Sequence, residues 1–240
     1  MPSWAIHLAE AKKVSKNLNF NDKDKNIFLF GNIVPDILNG YVVDKISHKV
    51  SHDETHYQKR IQIENHYEKR YNLEKFYQDF KDKFTNPIVL GYYTHLLTDF
   101  YWNRLTYDKN GIFDENRYLI GLKGNNGKKI LDKKDNLRKI KTNDFKIFSK
   151  YIYKNKLLEI PVYDEKIIED LKDLEFLNMQ EEDVLEALNY LNKVANFEIK
   201  IFLDDDKYKI YSEEEMLENL DICKRFIESD PFWDAPKKDH

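Results

Sequence analysis

The sequence predicts an all-α protein, and three observations support this fold class. Glycine and proline are scarce, with 7 and 6 residues in a chain of 240. Charged residues make up 34% of the chain and hydrophobic residues 41%, a balance typical of amphipathic helices around a core. Apolar residues also recur every three or four positions over long stretches. We therefore expect a multi-helix bundle, folded as a single α-helical domain over residues 1–240.

We divide the predicted domain into three consecutive parts. Residues 1–107 form a helical core, residues 108–142 an irregular excursion with several glycines, and residues 143–240 additional helices. Residues 58–83 are charged and aromatic, which favours a long amphipathic helix with a break. Around three consecutive aspartates, a short hairpin is expected at residues 199–211.

Charge and cysteine content exclude several classes of function. The formal net charge is -4, so no basic field is expected that would recruit nucleic acid or anionic lipid. Cys223 is the single cysteine, which excludes an intramolecular disulfide framework and a cysteine-based zinc site. The first 18 residues lack the apolar run of a signal peptide, and no stretch approaches the ~20 apolar residues of a transmembrane helix. A cytoplasmic location is therefore expected.

The most informative stretch begins at Asn86 and Pro87, which together form a helix start signal. The residues that follow are almost entirely uncharged up to Asp99, and this is typical of a central, buried helix. His95 and Asp99 are four positions apart and therefore share one face of that helix. Burying an ionised carboxylate is costly, so Asp99 must be paired, coordinated to a metal or exposed to a cavity. A structural hydrogen bond to His95 would also satisfy it.

Three further residues in the first half of the chain favour a metal over a simple hydrogen bond. His7 lies on the apolar face of the predicted first helix, Asp36 opens a helix directly after a buried segment, and His56 closes a histidine-rich stretch. Imidazole and carboxylate together suit zinc, manganese or iron, and such ligands with an open position are typical of catalytic metals. The sequence therefore predicts a metal site, with zinc as the expected ion, formed by His7, Asp36, His56, His95 and Asp99.

Four segments occur in a characteristic order: Ser3–His7 (SWAIH), Gly31–Asp36 (GNIVPD), Thr55–Tyr57 (THY) and Gly91–Asp99 (GYYTHLLTD). This order resembles the zinc-dependent phospholipase C family over about residues 3–103. That family is all-helical and shares its fold with single-strand-specific zinc nucleases. The resemblance implies a zinc-dependent phosphoric ester hydrolase that uses metal-activated water. Its partner would be a phosphoester small molecule or a phospholipid head group.

The resemblance also implies a role for each predicted ligand. Carried over residue by residue, it implies one metal site formed by Asp36, His56, His95 and Asp99. Asp99 would bridge to a second metal that His7 also binds, and Asp36 would be the general base. The family binds a third metal through a later histidine, but this sequence has none between His95 and His240. We therefore expect one or two ions.

Two alternatives use other features of the chain. HD-type metallo-phosphohydrolases are helical and bind metal through an ordered set of His, His-Asp and Asp, which His7, His52-Asp53 and Asp99 would reproduce. On a helix, however, His52 and His56 share a face while Asp53 points away. The other alternative is a non-catalytic helical interaction protein with a structural metal, since the charged C-terminal half contains no recognisable catalytic residue.

Overall fold

The computed structural model describes residues 2–63 and 66–233, and of residues 63 and 66–68 it describes the backbone alone. The chain is mostly helical, with 57% helix and 9% strand, so the prediction of a helical fold is confirmed. Two small antiparallel sheets are present in addition. In the part of the chain described, no helix has the length and apolar character needed to cross a bilayer.

The helices and strands alternate along the chain in short groups. The helices are α1 (Trp4–Ser15), α2 (Asp22–Gly31), α3 (Val34–Ile37), α4 (His52–Thr55), α5 (Leu73–Phe80), α6 (Pro87–Arg104), α7 (Lys134–Lys154), α8 (Glu165–Leu171), α9 (Glu181–Ala195) and α10 (Glu213–Glu228). The strands are β1 (Gln58–Ile63), β2 (His66–Tyr71), β3 (Gly111–Phe113), β4 (Leu119–Lys123) and β5 (Lys129–Leu131). The hydrophobic core contains residues from α1 through α10.

Helix α6 is buried on nearly all sides, as its uncharged sequence predicts. It begins at the predicted signal, where the Asn86 side chain accepts a hydrogen bond from the backbone N–H of Ile88 (3.1 Å). Pro87 occupies the first helical position, where its missing N–H costs nothing. The residues of α1, α2 and α10 pack around it. Side chains on α6 therefore meet side chains from several other helices.

Two glycines let α2 and α6 cross at backbone contact. A Cβ atom on Gly91 would lie 2.3 Å from the carbonyl oxygen of Phe28, and one on Gly31 would lie 2.5 Å from that of Ile88. Both distances are far below van der Waals contact, so only glycine fits at either position. This crossing brings the segment after α2, which contains Asp36, against α6.

Replacing Gly91 with Ala should lower the free energy of unfolding by about 3 kcal/mol, because the added Cβ meets backbone atoms of α2 that cannot rotate away. Urea denaturation measures the loss. Gly127→Ala is the control, since a Cβ there meets no atom within 4 Å and its φ of +76° adds only backbone strain, about 1 kcal/mol. An equal loss in both variants would contradict a steric requirement at the crossing.

The long helix predicted over residues 58–83 is wrong. Strands β1 and β2 pair antiparallel over its first half, and only α5 is α-helical. Tyr57 has a φ of 48°, a left-handed conformation that ends the preceding helical turn. The N–H of Asn72 donates to the Tyr57 carbonyl (2.8 Å) and closes the open end of the hairpin. Pairing between β1 and β2 therefore outweighs the weak helical periodicity of this stretch.

Residues 108–142, expected to be irregular, contain the three-stranded antiparallel sheet β3–β4–β5 and the beginning of α7. Gly111 and Gly121 lie within this sheet, each where a Cβ would clash with a backbone oxygen. These two glycines thus allow close approach of backbone segments and do not mark an irregular loop.

The hairpin expected at residues 199–211 is also wrong, because this described segment forms no strand. Two side chains of α7 bind its backbone instead. Asp144 accepts hydrogen bonds from the N–H groups of residues 209–211 at 2.7 to 3.2 Å. Asn143 accepts one from the N–H of Asp204 (2.8 Å). These contacts satisfy the donors that a partner strand would otherwise bind.

Candidate metal centre

The five predicted ligands come from four parts of the fold that meet at α6. His7 belongs to α1, Asp36 to α3, and His56 to the turn after α4, while His95 and Asp99 lie on successive turns of α6. None of the five residues is more than 1% exposed. The structure thus brings together all the residues that the sequence singled out, at one buried point.

Their donor atoms form two overlapping groups that share His95. One group is His7, His95 and Asp99, the other Asp36, His56 and His95, and within each group the donor atoms lie within 4.8 Å of one another. Asp99 faces both groups. Its Oδ1 is 3.5 Å from His7 Nε2, and its Oδ2 is 3.5 Å from His56 Nε2. Asp36 Oδ1 lies 3.4 Å from His56 Nε2.

A hydrogen bond determines which nitrogen of His95 faces the cluster. His95 Nδ1 is 2.8 Å from the carbonyl oxygen of Asn32, which can only accept, so Nδ1 carries the proton and donates it. Nε2 therefore directs a lone pair at the other donor atoms. Burial, together with the neighbouring His7, lowers the pKa of His95 to about 3. The ring is neutral at pH 7, the state in which imidazole binds metals.

His56 directs a second lone pair at the same point. Its Nδ1 lies 2.9 Å from Thr55 Oγ1, and that hydroxyl can donate onward to the His52 carbonyl at 3.4 Å. With Nδ1 protonated in this way, His56 Nε2 faces His95 Nε2 at 3.2 Å. Two lone pairs at that distance repel each other unless a proton or a cation lies beside them. The Nε2 atoms of His56 and His95 are therefore placed to bind one shared cation or proton.

His7 and Asp99 retain polar atoms that nothing in the described chain satisfies. Both ring nitrogens of His7 and Oδ1 of Asp99 are buried and form no hydrogen bond with any described residue. The His7 ring stacks on that of His95 with centroids 3.8 Å apart, so its position is fixed by packing. Because buried polar atoms are nearly always satisfied, three such atoms in one place indicate a ligand. The site thus fits a divalent cation.

The two carboxylates make the cluster negative. Burial opposes ionisation, but the neighbouring His56 and His95 rings hold the pKa of Asp36 well below its ordinary value. Contacts with His7 and His95 outweigh burial in the same way and lower the pKa of Asp99. Among described residues, the charged partners of both are imidazoles and never Lys or Arg. Buried charge of this kind normally binds a metal or an ion-pair partner.

The side chains that hold the two carboxylates in place were not predicted from the sequence. Asp36 accepts hydrogen bonds from Asn39 Nδ2 (2.9 Å) and from Trp4 Nε1 (3.2 Å). Asp99 Oδ2 accepts one from the Tyr71 hydroxyl (3.0 Å). Asn39 is three positions after Asp36, so helical spacing was a usable signal. Tyr71 lies on β2, in the stretch assigned to a helix, and no local pattern pointed to it.

The His52-Asp53 pair on which the HD-type alternative depends lies outside the cluster. His52 is half-buried and stacks on His56 with centroids 3.8 Å apart. Asp53 points away, as expected from its helix, and pairs with Lys69. Neither residue belongs to the two donor groups found among the described residues.

Comparison with known proteins yields no match: no family model, no curated protein and no solved structure is similar to this chain. The chemistry of its own residues is therefore the guide to the function of the cluster. Three imidazoles and two carboxylates form a nitrogen and oxygen donor set that suits zinc, manganese and iron.

Proposed function

We propose that this protein binds one or two divalent metal ions, with zinc preferred, and hydrolyses a phosphoester at them. The observation that carries the proposal is the convergence of five buried donor side chains, with three of their atoms unpartnered. Asp36, His56 and His95 would hold one ion. Asp99 would join that site to a second one that includes His7.

The chemistry follows from the donor set. A bound divalent ion lowers the pKa of water from 15.7 toward ~7 and stabilises charge on a phosphoryl oxygen. Asp36 is the residue proposed to orient the attacking water and accept its proton. Trp4 and Asn39 hold its two oxygens, so the carboxylate keeps a single orientation. Tyr71 does the same for one oxygen of Asp99.

Two features support a phospholipase C-like assignment, in fold type as well as activity. One is the order of the four sequence motifs over about residues 3–103. The other is the division of the two Asp99 oxygens between different histidines. One oxygen lies near His7, and the other lies near His56 and 3.8 Å from His95. That division agrees with the bridging role that the resemblance implies for Asp99.

A structural metal is the second candidate, and the complete burial of the five side chains favours it. An ion enclosed by α1, α3 and α6 would stabilise their crossing without admitting a substrate. Structural metal sites are closed, whereas catalytic sites keep a position open to water. Metal content and turnover measured on the same preparation separate the two functions.

The experiment compares wild-type protein with His95→Ala and with the control His48→Ala, a half-buried histidine outside the cluster. We expect wild-type protein expressed with zinc to hold one or two ions per chain and to hydrolyse bis-p-nitrophenyl phosphate. His48→Ala should retain both properties, and His95→Ala should lose both. Elemental analysis and release of p-nitrophenol are the measurements.

Two other outcomes of this experiment would lead to different conclusions. Stoichiometric metal without turnover of monoester, diester or phospholipid substrates would favour the structural site. Wild-type protein that holds no metal, although expressed with zinc, would contradict the assignment of the cluster.

A further inference from the structure

An open groove of about 710 Å³ lies where the C-terminal end of α7 meets the segment that follows α9. Its apolar lining includes Val194, Phe197, Ile199, Ile201, Phe202 and Leu203. Phe197 is 63% exposed and Phe202 is 78% exposed. Scattered exposed hydrophobic residues are normal, but a continuous apolar surface edged by polar residues marks an interaction site.

The backbone holds the Phe197 ring in this groove at an energetic cost. Its φ of 60° is in the left-handed region, which disfavours bulky side chains. The residue ends α9 in a turn where the N–H of Glu198 donates to the Lys193 carbonyl (2.8 Å). Glycine is the usual residue in such a turn and would remove the strain. A strained, exposed ring of this kind suits a surface where a partner covers it.

Three lysines border the same groove, namely Lys150, Lys154 and Lys200. All three are exposed, and among the described residues none of them has an ion-pair partner. None of the described residues that line the groove is acidic, although the whole chain has a net charge of -4. The charged residues that line the groove are therefore all basic, while the exposed Glu198 and Asp204 lie beside them in the chain. The lining itself complements an anionic, apolar partner.

We propose that this groove docks the protein onto an anionic membrane surface. Protein–protein interfaces are depleted in lysine, whereas three lysines border the phenylalanine, isoleucine and leucine side chains of this groove. That composition is typical of surfaces in the membrane interface. The Phe197 and Phe202 rings enter the boundary of the acyl chains, and the flexible lysines reach lipid phosphates and carboxylates.

Docking by this groove is independent of the metal centre. The end of α7 and residues 197–203 contribute none of the five donor residues, so variants in the groove leave the cluster intact. A groove variant can therefore lose membrane binding and keep metal binding, and a cluster variant can do the reverse.

The test is co-sedimentation of the full chain with vesicles of phosphatidylcholine, with and without phosphatidylserine. We expect binding only to the vesicles with phosphatidylserine, and weaker binding as salt rises. Phe202→Ser should reduce the partition coefficient about tenfold. The combined variant Lys150→Gln, Lys154→Gln, Lys200→Gln should reduce it roughly a hundredfold. Leu131→Ser is the matched control, because Leu131 is 64% exposed on β5 and should leave binding unchanged.

A spectroscopic variant locates the contact. The three native tryptophans are buried, so Phe202→Trp adds one exposed indole whose emission should shift to shorter wavelength on anionic vesicles. Leu131→Trp should show no shift. Three results would overturn the proposal: no binding to anionic vesicles, unchanged binding in both groove variants, or a change of oligomeric state in those variants without lipid. The last result would assign the groove to a second copy of the chain.

Discussion

Replacing Asp99 with Asn is expected to lower the zinc affinity of the protein at least about 100-fold, since even residues that only support ligands contribute 10- to 100-fold. Asp99 places one oxygen 3.5 Å from His7 and the other 3.5 Å from His56. An amide removes the negative charge and points N–H groups at one of these imidazoles. Competition with a chromogenic zinc chelator measures the affinity, and circular dichroism of the metal-free protein checks the fold.

The control for this variant is Asp53→Asn. Asp53 pairs with Lys69 at the protein surface, so its substitution should leave zinc affinity unchanged. Retention of zinc affinity by Asp99→Asn would refute the proposed cluster, whereas loss of zinc by both variants would support an HD-type arrangement.

Replacing Glu10 with Gln is expected to raise the free energy of unfolding at pH 8 by roughly 2 kcal/mol. Glu10 lies on α1 and is fully buried, and neither of its carboxyl oxygens has a hydrogen-bond partner among the described residues. Burial raises the pKa of Glu10 well above its ordinary value, and the neighbouring Cys223 thiol and Lys13 ammonium offset this only in part. An ionised Glu10 therefore opposes folding more strongly than a neutral glutamine of the same shape.

The direction of the pH dependence follows from that raised pKa. Above its ordinary value of 4.5, Glu10 releases its proton in the unfolded chain but retains it in the folded one. Wild-type stability is thus lost as the pH rises toward the pKa of the folded state. Urea denaturation at pH 5 and pH 8, with a chelator present, should show a small effect of Glu10→Gln at pH 5 and a large one at pH 8.

Glu218, which is exposed on α10, provides the matched control for the second prediction. Glu218→Gln should follow the wild-type stability at both pH values. A Glu10→Gln variant that shows the same pH dependence as wild type would contradict a folded-state pKa raised by burial.

Local spacing was sufficient to predict the centre of the candidate site. His95 and Asp99 share a face because the helical repeat brings positions four apart together, and the uncharged residues around them predicted the burial of α6. Gly31 follows an apolar run in the sequence, and it ends α2 where the backbones of α2 and α6 approach closely. These features depend on a few neighbouring residues, which a single sequence displays.

Long-range pairing was not predictable in the same way. Strands β1 and β2 form because residues near Gln58 pair with residues near Tyr71, and the highly charged sequence between them carries only a weak helical pattern. The expected hairpin at residues 199–211 failed for a related reason. Its backbone donors are satisfied by Asp144, a side chain more than fifty positions earlier in the chain.

By itself, the sequence determined a helix-rich fold, the central buried helix α6 and the identity of five donor residues. Only the tertiary structure decided that these donors converge, that the Asn32 carbonyl directs His95 Nε2 inward, and that Tyr71 reaches Asp99. It also decided that the site is closed and that a basic, apolar groove lies elsewhere. The reason is physical, since helical faces follow from local periodicity whereas distances between elements depend on how the whole core packs.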